Sequence, residues 1–153
     1  MTGVIILIIA LGVAGAAGTV MRARSGKIRS FPRTDVSDSS APPAPVSVLT
    51  AGDLGGPLGA QATVVQFSTE FCAYCGPTRK LLTELVAERP GVAFIEIDAA
   101  QRMDLTRRLK VFGTPTVLML RPDGSIAARS SGKPQKSDLA QSLRSVLDDG
   151  VRS

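Results

Sequence analysis

Phe67 to Leu82, FSTEFCAYCGPTRKLL, decides the fold, because a strand end, a pair of cysteines and a helix start follow one another without a gap. Upstream, Ala62 to Ser68, ATVVQFS, is an apolar run of strand length and reads as a buried central strand. Downstream, Cys75 to Glu88 reads as a helix: Leu81, Leu82, Leu85 and Val86 recur at i, i+1, i+4 and i+5, and Pro77 is tolerated in a first turn. Pro90-Gly91 stops it. Cys72-Ala73-Tyr74-Cys75 therefore sits directly after a strand and at the head of a helix.

That placement has chemical consequences. A helix N-terminus favours negative charge, so it lowers the pKa of the first thiol and supplies a thiolate near neutral pH. The two-residue gap lets the second thiol reach back. Cys72 is the expected attacker of a disulfide and Cys75 the thiol that resolves the mixed disulfide. Two other readings compete. Half a metal site would need ligands from a second chain, since the sequence has two cysteines and no histidine, and a zinc site takes four ligands. An inert structural disulfide would close so small a loop that it constrains the unfolded chain little. The strand–CxxC–helix context favours redox chemistry over both, and no metal is expected.

Outward from this centre, apolar runs of strand length alternate with helical patterns, the sign of an α/β domain. Val92 to Asp98, VAFIEID, reads as a second strand and Met103 to Leu109 as a short helix with Leu105 and Leu109 inward. Thr116 to Leu120, TVLML, and Ser125 to Ser130, SIAARS, read as an antiparallel hairpin around Arg121-Pro122-Asp123-Gly124. Ser137 is the expected N-cap of a last helix with Leu139, Leu143, Val146 and Leu147 as its stripe, ended by Gly150. The order after Ala62 is β-α-β-α-β-β-α, with Val46 to Thr50 as a further edge-strand candidate. There is no internal repeat.

The N-terminus is a different material. Gly3 to Val20, GVIILIIALGVAGAAGTV, is uncharged and as a helix would be ~27 Å long, enough to span a bilayer core. A cleaved signal peptide is the competing reading, with Ala14-Gly15-Ala16 as a small-residue cleavage site. No basic residue precedes the run and all follow it, which predicts an uncleaved anchor with its C-terminal side in the cytoplasm; an extracytoplasmic domain is the alternative. A dinucleotide-binding turn fails, because the glycines at 12, 15 and 18 are followed by a basic stretch and then prolines rather than a helix and a second strand. Ala10, Ala14 and Gly18 recur every fourth residue, a weak sign of helix pairing. Residues 3–20 thus read as anchor, 21–45 as a basic then Pro/Ser-rich linker and 46–153 as the domain. As a flexible tether, Arg22 to Pro45 would span roughly 25–30 Å, keeping the domain near the lipid surface. Its basic start would lie on anionic headgroups, with a topology signal that binds nothing as the competing reading.

The formal charge of +5 comes from that linker. Arg22, Arg24, Lys27, Arg29 and Arg33 are the excess, and the remaining basic residues match the 13 acidic ones, all of which lie from Asp35 onward. A neutral domain with one tyrosine and no tryptophan lacks the basic face and stacking platform of nucleic-acid binders, so no nucleic-acid partner is expected.

FSTEFCAYCGPTRKLL followed by VFGTPTVLML (Val111 to Leu120) resembles the thioredoxin family, over roughly Val46 to Val151. The resemblance implies a three-layer αβα sandwich with a mixed central sheet, and catalysis by Cys72 and Cys75. It implies a cis peptide before Pro115, with the backbone of Thr114 pairing with the substrate. Phe71, Ala73, Tyr74 and Gly132 would complete the substrate groove. Asp98 ends its strand as the family's residue does, although a helix cap is its plainer reading, as a surface hydrophobe is for Phe71 and a turn for Gly132. The implied activity is reduction of protein disulfides without a cofactor, recharged by a donor such as a thioredoxin reductase or a membrane thiol relay. Two rivals stand beside it: an outward-facing, cytochrome-maturation type of thioredoxin, and a weakly catalytic binding module. The departures are specific. Ala73-Tyr74 replaces the usual Gly-Pro, with a Tyr before the second cysteine that is similar to glutaredoxins. Gln66 stands where the family has a buried carboxylate, and Phe94 where it has the accompanying lysine. Gln cannot act as a base near neutral pH, which leaves Glu70 as a weak candidate for proton transfer.

Overall fold

The run Ala62–Ser68 is buried at every position, and the sheet is built around it. In this computed structural model residues 29–30 and 48–151 are described. Their elements are β1 (Arg29–Ser30), α1 (Ala51–Leu54), β2 (Ala62–Ser68), α2 (Cys75–Ala87), β3 (Val92–Asp98), α3 (Met103–Arg108), β4 (Thr116–Leu120), β5 (Ile126–Ser131) and α4 (Lys136–Val151). The sheet order is β1-β5-β4-β2-β3. β2 and β3 are parallel, as a crossover through α2 requires, while β4 runs antiparallel to both β2 and β5. The sheet is therefore mixed.

Successive residues of a strand face opposite ways, and both faces of this sheet are covered. Val65, Phe67, Leu118 and Leu120 pack with Leu49, Leu54, Leu105 and Leu109, which places α1 and α3 on one side. Ala62, Val64, Val117 and Met119 pack with Leu82, Leu85, Leu139 and Leu143, which places α2 and α4 on the other. This is a three-layer arrangement. Phe67 is wholly excluded from water, and burial of one such side chain contributes ~1.5–3 kcal/mol.

Several boundaries differ from the sequence expectation. The edge-strand candidate ending at Thr50 is not a strand where it is described: Val48 makes one isolated antiparallel bridge to Ser125, and Thr50 then caps α1. Thr50 Oγ1 accepts from Asp53 N, and Asp53 Oδ2 accepts from Thr50 N at 2.9 Å, a reciprocal cap. Ser137 is not an N-cap, because α4 already begins at Lys136 and Ser137 Oγ instead donates to Asp138 Oδ1. Gly150 does not end that helix, which continues to Val151. Within the expected linker, Arg29 and Ser30 pair with Arg129 and Ala128. The expected anchor, Gly3 to Val20, lies outside the described residues, as do Val46 and Ser47. Among the described residues no helix is long and apolar enough to cross a membrane.

Candidate active site

β2 ends at Ser68, whose carbonyl accepts from Ala99 N at 2.8 Å, and the chain then turns through residues 69–74 before α2 begins. Two backbone bonds shape the turn, Cys72 N to Thr69 O and Cys75 N to Cys72 O, each 3.2 Å. They fold the cysteines against each other, and Cys72 and Cys75 are joined by a disulfide with Cα atoms 5.4 Å apart. Tyr74 occupies the N-cap of α2 with no side-chain cap, and the first turn has no acidic residue. The positive end of this 13-residue helix is thus left to whatever charge the sulfurs carry. Access is unequal: Cys72 is half-buried, whereas Cys75 is 3% exposed. An incoming sulfur can reach Cys72 and not its partner.

A second segment faces this turn. The peptide between Thr114 and Pro115 is cis, and Thr114 Oγ1 lies 3.0 Å from Thr69 Oγ1, tying the two loops together. Thr116 Oγ1 donates to Gly113 O at 2.7 Å. Gly132, at φ 82°, donates its N–H to Pro115 O at 2.9 Å and so brings the end of β5 to the same place. Its neighbour Lys133 holds its ammonium 5.6 Å from the ring centroid of Tyr74, a cation–π contact over the residue between the cysteines. Farther back, Arg129 donates to Leu109 O at 2.6 Å and Lys110 O at 2.7 Å, where Lys110 turns left-handed at φ 51°. Partial burial lowers the pKa of that guanidinium.

The residues expected from the sequence fall into these segments: Phe71, Cys72, Ala73, Tyr74 and Cys75 in the first, Thr114 and Pro115 in the second, Gly132 in the third. Phe71 is 93% exposed and belongs to no core. Asp98 sits apart, accepting from Ala100 N at 2.8 Å and from the Gln101 amide groups, so it caps the turn towards α3. Gln66 is buried and donates from Nε2 to Cys75 O at 2.9 Å. Phe94 packs with the α2 and α4 layer, and Glu70 is exposed.

Four residues were not anticipated. Phe112 is as exposed as Phe71, and its signal was an aromatic beside Gly113 in a loop. Glu96 lies across from Gln66 in the β2–β3 register and pairs with Arg79 Nε at 2.6 Å, a bond that raises the pKa of Arg79. Lys133 and Arg129 become visible only once the topology places the end of β5 beside the second loop. Among the described residues no cluster of three or more His, Cys, Asp or Glu could hold a metal.

A protein-family model described as Thioredoxin matches residues 58–145. Among solved structures, the chain is similar to a thioredoxin-2 described as a component of malaria parasite protein secretion machinery. That match has 19% identity and a TM-score of 0.51, covering 56% of this chain and 82% of the other. It is similar to a mutant thioredoxin from Halobacterium salinarum, with 22% identity and a TM-score of 0.52, covering 57% and 75%. It is also similar to oxidised thioredoxin from Plasmodium falciparum, with 21% identity and a TM-score of 0.50, covering 57% and 82%. At these identities the likeness is one of fold. Comparison with curated proteins gives no match.

Proposed function

The chain belongs to the thioredoxin family, and on that footing we propose that it is a membrane-tethered reductase of protein disulfides working through Cys72 and Cys75. Family and cysteine pair together support thiol–disulfide oxidoreductase activity. The observation that carries the reading is the unequal access of the two bonded sulfurs at an uncapped helix N-terminus, Cys72 reachable and Cys75 buried.

In the reduced enzyme the Cys72 thiolate attacks a substrate disulfide. One substrate sulfur leaves as a thiolate and takes a proton, and the other stays bonded to Cys72. Cys75 then loses its proton and attacks the Cys72 sulfur, which frees the second substrate thiol and leaves the enzyme pair oxidised. Two electrons have passed to the substrate, and an external dithiol donor restores them. That donor is of the thioredoxin reductase or membrane thiol-relay class. The substrate chain lies along the Thr114-Pro115 backbone, flanked by Phe71, Ala73, Tyr74 and Gly132. No cofactor is assigned.

Residues 3–20 form the anchor and residues 21–45 the linker, of which Arg29 and Ser30 pair with the sheet edge, with the domain on the cytoplasmic face. The apolar run and the basic residues that follow it support this orientation. A reporter fused after Ser153 tests it, and an extracytoplasmic signal would favour the outward-facing, cytochrome-maturation type.

The deciding experiment uses the full chain with Cys75→Ser, which leaves Cys72 able to form a mixed disulfide and nothing to resolve it. Adducts that vanish on adding thiol and require Cys72 are expected. If none form, the reductase reading fails. If a Cys72→Ser/Cys75→Ser double variant still performs the protein's cellular role, the chain is a binding module working through its groove.

A further inference from the structure

The amide of Gln66 has two ends with different fates. Nε2 donates to the carbonyl oxygen of Cys75 at 2.9 Å. That bond fixes which way the amide faces, because the reverse orientation would set two acceptors against each other. Oε1 is buried and has no hydrogen-bond partner. Gln66 itself is 0% exposed, so no bulk water reaches it. A buried oxygen without a donor is costly, and such atoms in native folds call for a cause. The oxidation state of the cysteine pair supplies one. While Cys75 is bonded to Cys72 its sulfur carries no proton to give. On reduction, Cys75 becomes a buried thiol, a weak donor, and the side chain already bonded to its own backbone is Gln66, whose oxygen lacks one.

We propose that Gln66 Oε1 accepts a hydrogen bond from the Cys75 thiol in the dithiol state, so the amide is fully satisfied only when the pair is reduced. The inference rests on the redox reading above and adds a residue that biases the balance between the two states. Against glutathione the reaction is protein disulfide plus two glutathione thiols giving protein dithiol plus glutathione disulfide. Two electrons and two protons arrive, one proton on each cysteine sulfur, and the one on Cys75 points at Oε1. Unlike a carboxylate in this position, the amide accepts the hydrogen bond and leaves the proton on sulfur.

The test uses the full chain in detergent. Cys72→Ser leaves Cys75 as the only thiol, because the sequence has two cysteines. Its S–H stretch lies in an infrared window clear of other protein bands, and a hydrogen-bonded S–H absorbs lower and more strongly than a free one. In the Cys72→Ser background, Gln66→Met keeps the volume and removes the acceptor. Gln66→Glu, neutral when buried, keeps a carbonyl acceptor and can still donate to Cys75 O. The band is expected low with Gln66 and with Gln66→Glu, and raised with Gln66→Met. With both cysteines present, Gln66→Met should move the glutathione equilibrium roughly tenfold towards the disulfide, about 30 mV, and Gln66→Glu should recover part of it. A band and an equilibrium constant both indifferent to Gln66→Met overturn the inference while leaving the redox reading intact. A wild-type pair that never exchanges with glutathione overturns the redox reading itself.

Discussion

Arg129→Met isolates what holds the second active-site segment in place. Arg129 stands on β5 and its guanidinium bonds two consecutive carbonyls, Leu109 at 2.6 Å and Lys110 at 2.7 Å. These carbonyls follow the last turn of α3, where the backbone turns left-handed at Lys110 and then enters the loop carrying Thr114 and Pro115. A charge-assisted hydrogen bond contributes ~1.5–3 kcal/mol when buried. Arg129 is half-buried, so water can replace part of each bond, and the pair together should contribute about 2 kcal/mol. For a domain of this size that is a fall of roughly 8–15 °C in Tm. Urea unfolding with the disulfide intact should show a lower midpoint at unchanged slope. Activity should divide: reduction of a protein disulfide should fall severalfold because Thr114 is held less firmly, while reduction of the Cys72–Cys75 bond by dithiothreitol should not change. Arg129→Lys, with one point of contact instead of a fork, should fall between. An unchanged midpoint for Arg129→Met, or equal losses against protein and small-thiol partners, would refute the clamp.

Asp53 is held from its ordinary 3.8 down to about 2, first by the backbone N–H of Thr50, then by Arg108 and the Thr50 hydroxyl. A depressed carboxylate stabilises the fold above its unfolded value and loses that effect as pH falls through the folded one, so Asp53→Asn should cost stability at pH 6 and little at pH 2. Parallel Tm profiles for the two proteins across that range would sink the assignment. Gly124 sits at φ 81° with the position of a Cβ 2.0 Å from Leu49 O, so Gly124→Ala should destabilise by ~2 kcal/mol or more, read as a lowered urea midpoint. Lys133→Glu reverses the charge above Tyr74 and should slow alkylation of reduced Cys72 by roughly two- to fivefold at low salt, an effect that fades above ~0.5 M salt. A rate that does not respond to the substitution would show that the ammonium does not act on the thiol.

The strands and long helices were legible because their periods are clean: ATVVQFS is apolar throughout, and Leu81, Leu82 and Leu85 recur on one helix face. α1 was missed because AGDL is short and glycine-bearing, and its one signal is Thr50 followed three residues later by Asp53. The start of α4 is obscured for a related reason, since Ser137 has the residue type of a cap while its hydroxyl bonds Asp138 inside the helix. The cysteine pair could be read from spacing alone. The rest of the site could not be read from any one segment, and the register says why. The end of β2 at Phe67 pairs with the start of β4 at Thr116, and Thr116 pairs with the end of β5 at Ser131. Two antiparallel pairings therefore force residues 69–74, 111–115 and 132–133 to one edge of the sheet, whatever their own sequences are. The meeting of the three loops is a property of strand order, and that explains how Ala73-Tyr74, Phe112 and Lys133 can give the site its own surface without moving it. Gln66 is the exception, because it lies in β2 itself, and its one bond to the site, from Nε2 to Cys75 O, is set by its place in the strand rather than by the meeting of the loops.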